Sequence, residues 1–301
     1  MPSIREMRLR IRSIKNLAQV TRALETVSAS KVRKAIQANE QTRPYAKKAW
    51  EVLVHLSRQP GRKSLHPLLA DREEAKKDLV VLVTSDRGLA GAYNVNIVRH
   101  TLIAMREHDV PAVFVTVGRK GRDMLIRRRR PVIAEFSGLP VNPSFSVCAP
   151  IGKLVVDEYL KGYVDEVFIA YTEFISMLKQ EPVIRRLLPL KPEEEEATIQ
   201  QIRSASISTR VFSYEPGAEE LLDEIIPRFT ALQIYQAILS AQASEHAARM
   251  VAMRNATDSA KELVGVLQIE YNKARQASIT NDILDITGGA EALAQAMAER
   301  E

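Results

Sequence analysis

The sequence predicts an α/β protein with long helices, in which N- and C-terminal helices pair as an antiparallel coiled coil around a central α/β domain. Two observations carry this. Both ends of the chain are long runs almost free of glycine and proline, with apolar residues at steps of three and four. The middle instead holds short, unbroken apolar runs rich in β-branched residues, separated by helical patterns. Composition agrees: aromatics are only 5% and charged residues 27% of the 301 residues, a balance typical of extended helices.

After Pro2, the run to residue 58 contains one proline, Pro44, and no glycine, so a single helix is expected with a bend at Pro44. Ser3, with Glu6 three residues on, is its expected N-cap. Ile4, Met7, Ile11, Ile14, Leu17, Val20, Leu24 and Val27 form a stripe too narrow for a globular core and suited to a coiled-coil seam. From Pro216-Gly217 a second helical pattern runs for about 80 residues. Leu222, Ile225, Phe229 and Leu232 make one seam segment, and Ala260, Val264, Leu267, Tyr271 and Ala274 make another. The small-residue stretch Ala237 to Ala256 between them permits close helix approach. In the middle, residues 79–84, 112–117 and 166–171 read as strands of a parallel sheet, with helices at about 95–107, 119–127 and 150–162. Residues 207–214 read as an edge strand, and 193–196 as an exposed acidic loop. The expected divisions are a helix over 1–58, an α/β domain over 76–214 and a helix over 216–298.

Several function classes are disfavoured. The loop Ser85-Asp86-Arg87-Gly88-Leu89-Ala90-Gly91-Ala92 follows the first strand, where open α/β sheets hold phosphates. It lacks both the Gly-Lys-Ser/Thr ending and the G-x-G-x-x-G spacing, so a tight turn is expected, with Asp86 and Asn94 bonded to nearby backbone. The five histidines are scattered, and no metal or nucleophile constellation is read, nor any cofactor. Cys148 is the one cysteine and reads as a buried structural thiol. No window supplies the ~20 apolar residues of a membrane span, and the start has no apolar signal core.

The net charge of +6 calls for acidic partners. Residues 1–34 hold Arg5, Arg8, Arg10, Arg12, Lys15, Arg22, Lys31, Arg33 and Lys34 against Glu6 and Glu25. Antiparallel pairing places Arg249, Arg254, Lys261, Lys273 and Arg275 beside them. Nucleic acid is not the expected partner, because aromatic stacking platforms are absent and the helices are committed to each other. From Gln276 to Glu299 there is no Lys or Arg, while Ile279, Ile283, Leu284 and Ile286 are apolar. This end should overhang its partner helix by roughly 30 Å and needs a sleeve to cover it.

The run Ala247-Ala248-Arg249-Met250-Val251-Ala252-Met253-Arg254-Asn255-Ala256-Thr257-Asp258, followed by Tyr271-Asn272-Lys273-Ala274-Arg275-Gln276-Ala277-Ser278-Ile279-Thr280, resembles the gamma subunit of F-type ATP synthases. Ile14-Lys15-Asn16, Ser30-Lys31-Val32, Arg43-Pro44-Tyr45, Thr84-Ser85-Asp86-Arg87-Gly88-Leu89, Asn142-Pro143-Ser144 and Tyr214-Glu215-Pro216 extend the resemblance over nearly the whole chain. It implies a Rossmann-like central domain and the role of a rotor stalk that performs no chemistry. One copy stands inside a ring of alpha and beta subunits, with the epsilon subunit and the membrane c-ring at its foot. It implies beta-subunit contacts at Arg275, Gln276, Leu24, Arg22, Lys31, Arg33 and Arg254. The apolar bearing tip would be Ile279, Ile283, Leu284 and Ile286, and the foot would lie near Phe212 and Tyr214. The implied location is peripheral, on the cytoplasmic face of a bacterial plasma membrane. Ala90 and Ala92 depart from the Cys and Gly common in the family's loop, and the inserted cysteine pair of redox-regulated chloroplast members is absent.

Overall fold

A computed structural model describes residues 3–57, 67–69, 75–190 and 218–298. The chain divides into two compact units, one of Met1–Thr26 with Val251–Glu301 and one of Val27–Met250. In order, the elements are α1 (Ile4–Ser57), β1 (Asp78–Val83), α2 (Tyr93–His108), β2 (Ala112–Val117), α3 (Arg119–Arg127), β3 (Val132–Phe136), α4 (Phe145–Leu160), β4 (Glu166–Phe174), β5 (Gln180–Leu188) and α5 (Ala218–Ala298). The sequence-expected strand over 207–214 and the acidic loop lie outside the described residues.

The first unit is a helix pair. Ser3 caps α1 as expected: its Oγ accepts from the Glu6 amide at 3.2 Å. Arg8 meets Tyr271, and Thr21 meets Thr257, so rising numbers on α1 match falling numbers on α5 and the pair is antiparallel. On α5 Met253, Thr257, Ala260, Val264, Leu267, Tyr271, Ala274 and Ser278 are covered at steps of four and three, with Ala256 and Gln268 partly covered beside them. On α1 they are Ile4, Met7, Ile11, Ile14, Ala18, Thr21, Leu24 and Glu25. Here the expected seam needs correction. After Ile14 it passes through Ala18 and Thr21, leaving Leu17 and Val20 more than half exposed. The reason is size and hydrogen bonding together. Thr21 and Thr257 share a 2.7 Å hydroxyl contact in which one donates to the other, and the carbonyls of Leu17, Ala18 and Met253 lie within hydrogen-bonding distance of these hydroxyls. Small residues with satisfied hydroxyls let the helices approach where Leu or Val would hold them apart.

The second unit is a five-stranded sheet in the order β3-β2-β1-β4-β5, parallel except for β5, with helices on both faces. This is a Rossmann-like arrangement. All six residues of β1 are buried because its two faces serve different cores. Leu79, Val81 and Val83 join Ile151, Val155 and Tyr159 of α4 and Phe229, Leu232 and Ile238 of α5. Val80 and Leu82 join Ile97, Val98 and Leu125 beneath α2 and α3. Helix α4 presses on α5 at Gly152, where a Cβ would lie 2.5 Å from that of Ala231. The small-residue stretch of α5 lies against β4: Ser244 Oγ donates to the Thr172 carbonyl and Ser240 Oγ accepts from the Phe174 amide, both at 3.0 Å. Trp50 of α1 packs against Phe229 with ring centroids 5.4 Å apart. Cys148 is buried, and burial pushes its thiol up to about 11, so it is inert at neutral pH.

Candidate functional site

The loop after β1 is built around Asp86. Its Oδ1 accepts from the Arg119 amide at the start of α3 (3.1 Å), and its Oδ2 accepts from the Gly138 amide beyond β3 (2.8 Å). Asn94 accepts from the Ser85 amide at 3.0 Å. The tight turn is therefore present, but Asp86 ties three loops together across the sheet's C-terminal edge and does not serve the backbone beside it. Gly118 sits at φ 99°, with the Thr84 carbonyl oxygen only 2.3 Å from where a Cβ would stand, so the β1 and β2 ends close tightly. Helix-start amides of this kind hold phosphates in open α/β sheets. Here the Asp86 carboxylate takes one of them, the Arg119 amide at the start of α3.

A cleft of about 370 Å³ lies over this loop, lined by Lys31, Arg87, Arg119, Glu245, His246 and Arg249 among others. Its lining carries four cations, Lys31, Arg87, Arg119 and Arg249, against the carboxylates of Asp86 and Glu245, and Arg249 pairs with Glu245. Arg249 donates to Glu245 and to the Gly88 carbonyl, and its Nη1 lies 3.1 Å from His246 Nδ1. Arginine can only donate, so Nδ1 accepts and the imidazole is neutral. Burial, then the charges of Arg249 and Lys31, hold His246 down at about 4. Burial raises Glu245 despite the opposing pull of Arg249. Arg249, expected among the exposed basic residues, is thus turned into the structure, where a buried carboxylate claims it. Glu245 and His246 were not singled out in the sequence because no spacing rule marks them.

The remaining expected contact residues fall as follows. Within the first unit Arg22 and Arg254 are exposed and Leu24 is half-buried. The register of the helix pair sets Leu24 level with Arg254. Arg275 and Gln276 are exposed about 30 Å further along α5, so the set forms two levels. Arg8, Arg12 and Lys15 line a shallow groove with Gln268 and Tyr271, and the Arg8 guanidinium lies 5.7 Å from the Tyr271 ring centre. In the second unit Arg33 is exposed, while Lys31 lines the cleft. Beyond Arg275 the register passes Ile4, where α1 starts. Ile279, Ile283, Leu284 and Ile286 are 50–72% exposed there. Asp282 and Asp285, also exposed, interleave with them, so this stretch is free of cations but not of charge. Phe212 and Tyr214 lie outside the described residues.

The family model described as ATP synthase matches residues 3–293. An ATP synthase gamma chain from Dehalococcoides mccartyi (strain CBDB1) is 44% identical over 295 residues, covering 98% of this chain and all of that one. The chain belongs to the ATP synthase gamma-chain family. Another member, from Roseiflexus castenholzii, is 43% identical over 298 residues, covering 98% of this chain and 100% of its own. Among solved structures, the central stalk and c-ring assembly of the Tetrahymena thermophila mitochondrial ATP synthase contains a chain 26% identical with a TM-score of 0.60. That match covers 79% of this chain and 99% of the other. A chain of the Euglena gracilis mitochondrial enzyme reaches a TM-score of 0.65 at 21% identity, covering 96% and 94%, and shares the fold. Gamma-chain membership thus accompanies two long terminal helices and a central mixed sheet.

Proposed function

We propose that this gamma chain is the central rotor stalk of an F-type ATP synthase, carrying rotation of the membrane c-ring to the catalytic beta subunits. The observation that carries the reading is the end-to-end match to gamma chains, joined to a helix pair whose outer face keeps cations and large apolar side chains uncovered. The partners are then the alpha and beta subunits, the epsilon subunit and the c-ring, with one copy per complex. In this reading the chain itself catalyses nothing, and the loop after β1 serves as a structural tie through Asp86. Among the described residues no helix is long and apolar enough to cross a membrane. Attachment is therefore peripheral, on the cytoplasmic face of a bacterial plasma membrane.

Arg275, Gln276, Arg22, Leu24, Arg33 and Arg254 are the proposed beta-subunit contacts, with Lys31 acting from the cleft. Exposed ion pairs contribute roughly 0–1 kcal/mol each and are screened beyond ~8 Å, so they bias a rotary position without arresting it. The apolar tip at Ile279, Ile283, Leu284 and Ile286 makes few directional bonds that turning must break. Phe212 and Tyr214 are proposed for the foot.

The test is reconstitution of the full chain with alpha and beta subunits, then with the membrane sector. One copy per catalytic ring is expected. Arg275→Ala with Gln276→Ala should lower coupled ATP synthesis by roughly threefold to tenfold while the isolated chain keeps its helicity. Undiminished synthesis in fully assembled complexes would contradict the contact assignment.

A further inference from the structure

Asp78 opens β1, His108 closes α2 and Glu166 opens β4. In sequence they are 30 and 58 residues apart, and no motif links them. Register brings them together: β1 and β4 are parallel neighbours with Asp78 paired to Glu166, and α2 ends above the same edge. His108 Nε2 lies 3.1 Å from Glu166 Oε2 and 3.5 Å from Asp78 Oδ2. One ligand atom from each of the three residues falls within 4.8 Å of the others.

Asp78 is the observation that asks for a ligand. Its side chain is fully buried, and neither carboxylate oxygen has a hydrogen-bond partner among the described residues. A buried carboxylate in that condition is costly and rare. His108 Nε2 makes its hydrogen bond with Glu166 and stands at 3.5 Å from Asp78 Oδ2, an ion-pair distance only when the ring is protonated. Asp165 adds negative potential at Asp78. Arg186 engages the other oxygen of Glu166 at 3.4 Å, leaving Oε2 turned to the cluster. The His108 ring stands edge-on to Phe168 at 5.4 Å, which fixes its plane.

The geometry points to a divalent transition-metal site formed by Asp78, His108 and Glu166 at the N-terminal edge of the parallel strands. Tetrahedral Zn²⁺ with N and O ligands at about 2.0–2.1 Å spaces those ligands about 3.3–3.4 Å apart, and the two distances from His108 Nε2 bracket that value. A cation there would supply the missing partner of Asp78 Oδ2, the oxygen that faces His108. His108 is the last residue of α2, where the helix dipole is negative and favours a cation. Calcium and magnesium fit poorly: they prefer all-oxygen shells of six or more ligands, and one of these three is an imidazole. Three protein ligands leave a fourth position for water. An ion so placed would pin β1, β4 and the end of α2 to one point.

The experiment titrates Zn²⁺ into the chelator-stripped full chain at neutral pH by calorimetry, and repeats it with Co²⁺ read by visible absorption. One ion per chain is expected, with a Kd in the micromolar range or tighter and the intense absorption of a tetrahedral Co²⁺ centre. Asp78→Asn and His108→Gln should each weaken binding at least tenfold, whereas His100→Gln, an exposed histidine elsewhere on α2, should change nothing. Absence of a stoichiometric ion in the parent chain overturns the site, as does equal affinity in the Asp78 variant. If Asp78→Asn does not fold, His108→Gln decides, because its side chain is 39% exposed and its loss opens no core.

Discussion

His246 lies on the inner side of α5 with Arg249 and Lys31 near it, and burial with these two cations keeps its imidazole neutral down to about pH 4. The unfolded chain protonates its histidine near pH 6.5. Between those values the unfolded state binds the extra proton, so this residue's contribution is complete above pH 6.5 and is lost as pH falls toward 4. The loss approaches roughly 3 kcal/mol. We expect His246→Gln to flatten that part of the pH profile relative to the parent, measured by urea unfolding at pH 7.5 and 4.5. Equal losses in both proteins would show that other groups govern it. At this scale the sequence was readable where a motif was local. Ser3 with Glu6 is a cap by spacing alone, and it forms. Asp86 was readable as a turn residue, but its partners stand 33 and 52 residues away, and no local rule reaches that far.

At the scale of elements, the helix pair of the first unit rests on a seam whose middle is small and polar. The Thr21–Thr257 contact is buried, and each hydroxyl has a second partner on its own helix. A double-mutant cycle with Thr21→Val and Thr257→Val should give a coupling energy of roughly 0.5–1.5 kcal/mol, with the double variant closer to the parent than the two single losses would add to. A coupling near zero would mean that the contact is incidental. The same threonines explain why the seam slipped in the sequence. Hydrophobicity favours Leu17 and Val20, whereas the close approach favours Ala18 and Thr21. Strand β1 was legible because burial on both faces demands an unbroken apolar run. Strand β5 was not, because Gln180, Pro182, Arg185 and Arg186 give it the polar, proline-bearing profile of an edge.

For the whole molecule, the slipped seam has a surface consequence. Leu9, Leu17 and Val20 on α1 and Leu263, Val266 and Ile269 on α5 are all about half exposed or more in the free chain, an amount of uncovered apolar surface that belongs to an assembly. Leu17→Ser with Val20→Ser should change the stability of the isolated chain by no more than about 0.5 kcal/mol per site while reducing its retention in reconstituted alpha–beta rings. Strong destabilisation of the free chain would place these side chains in its own packing instead. Much of the fold and the basic and apolar zones of the terminal helices could be read from periodicity and charge. The cleft residues Glu245 and His246, and the meeting of Asp78, His108 and Glu166, could not. They depend on strand register and on which helix face turns inward, and neither is written in local spacing.

Asp86 settles one further matter. Its carboxylate accepts from the amides of Arg119 and Gly138, so the ends of β1, β2 and β3 are held to one another by the chain's own groups. On the proposed stalk role, the state of bound nucleotide reaches this chain as displacement along its helices.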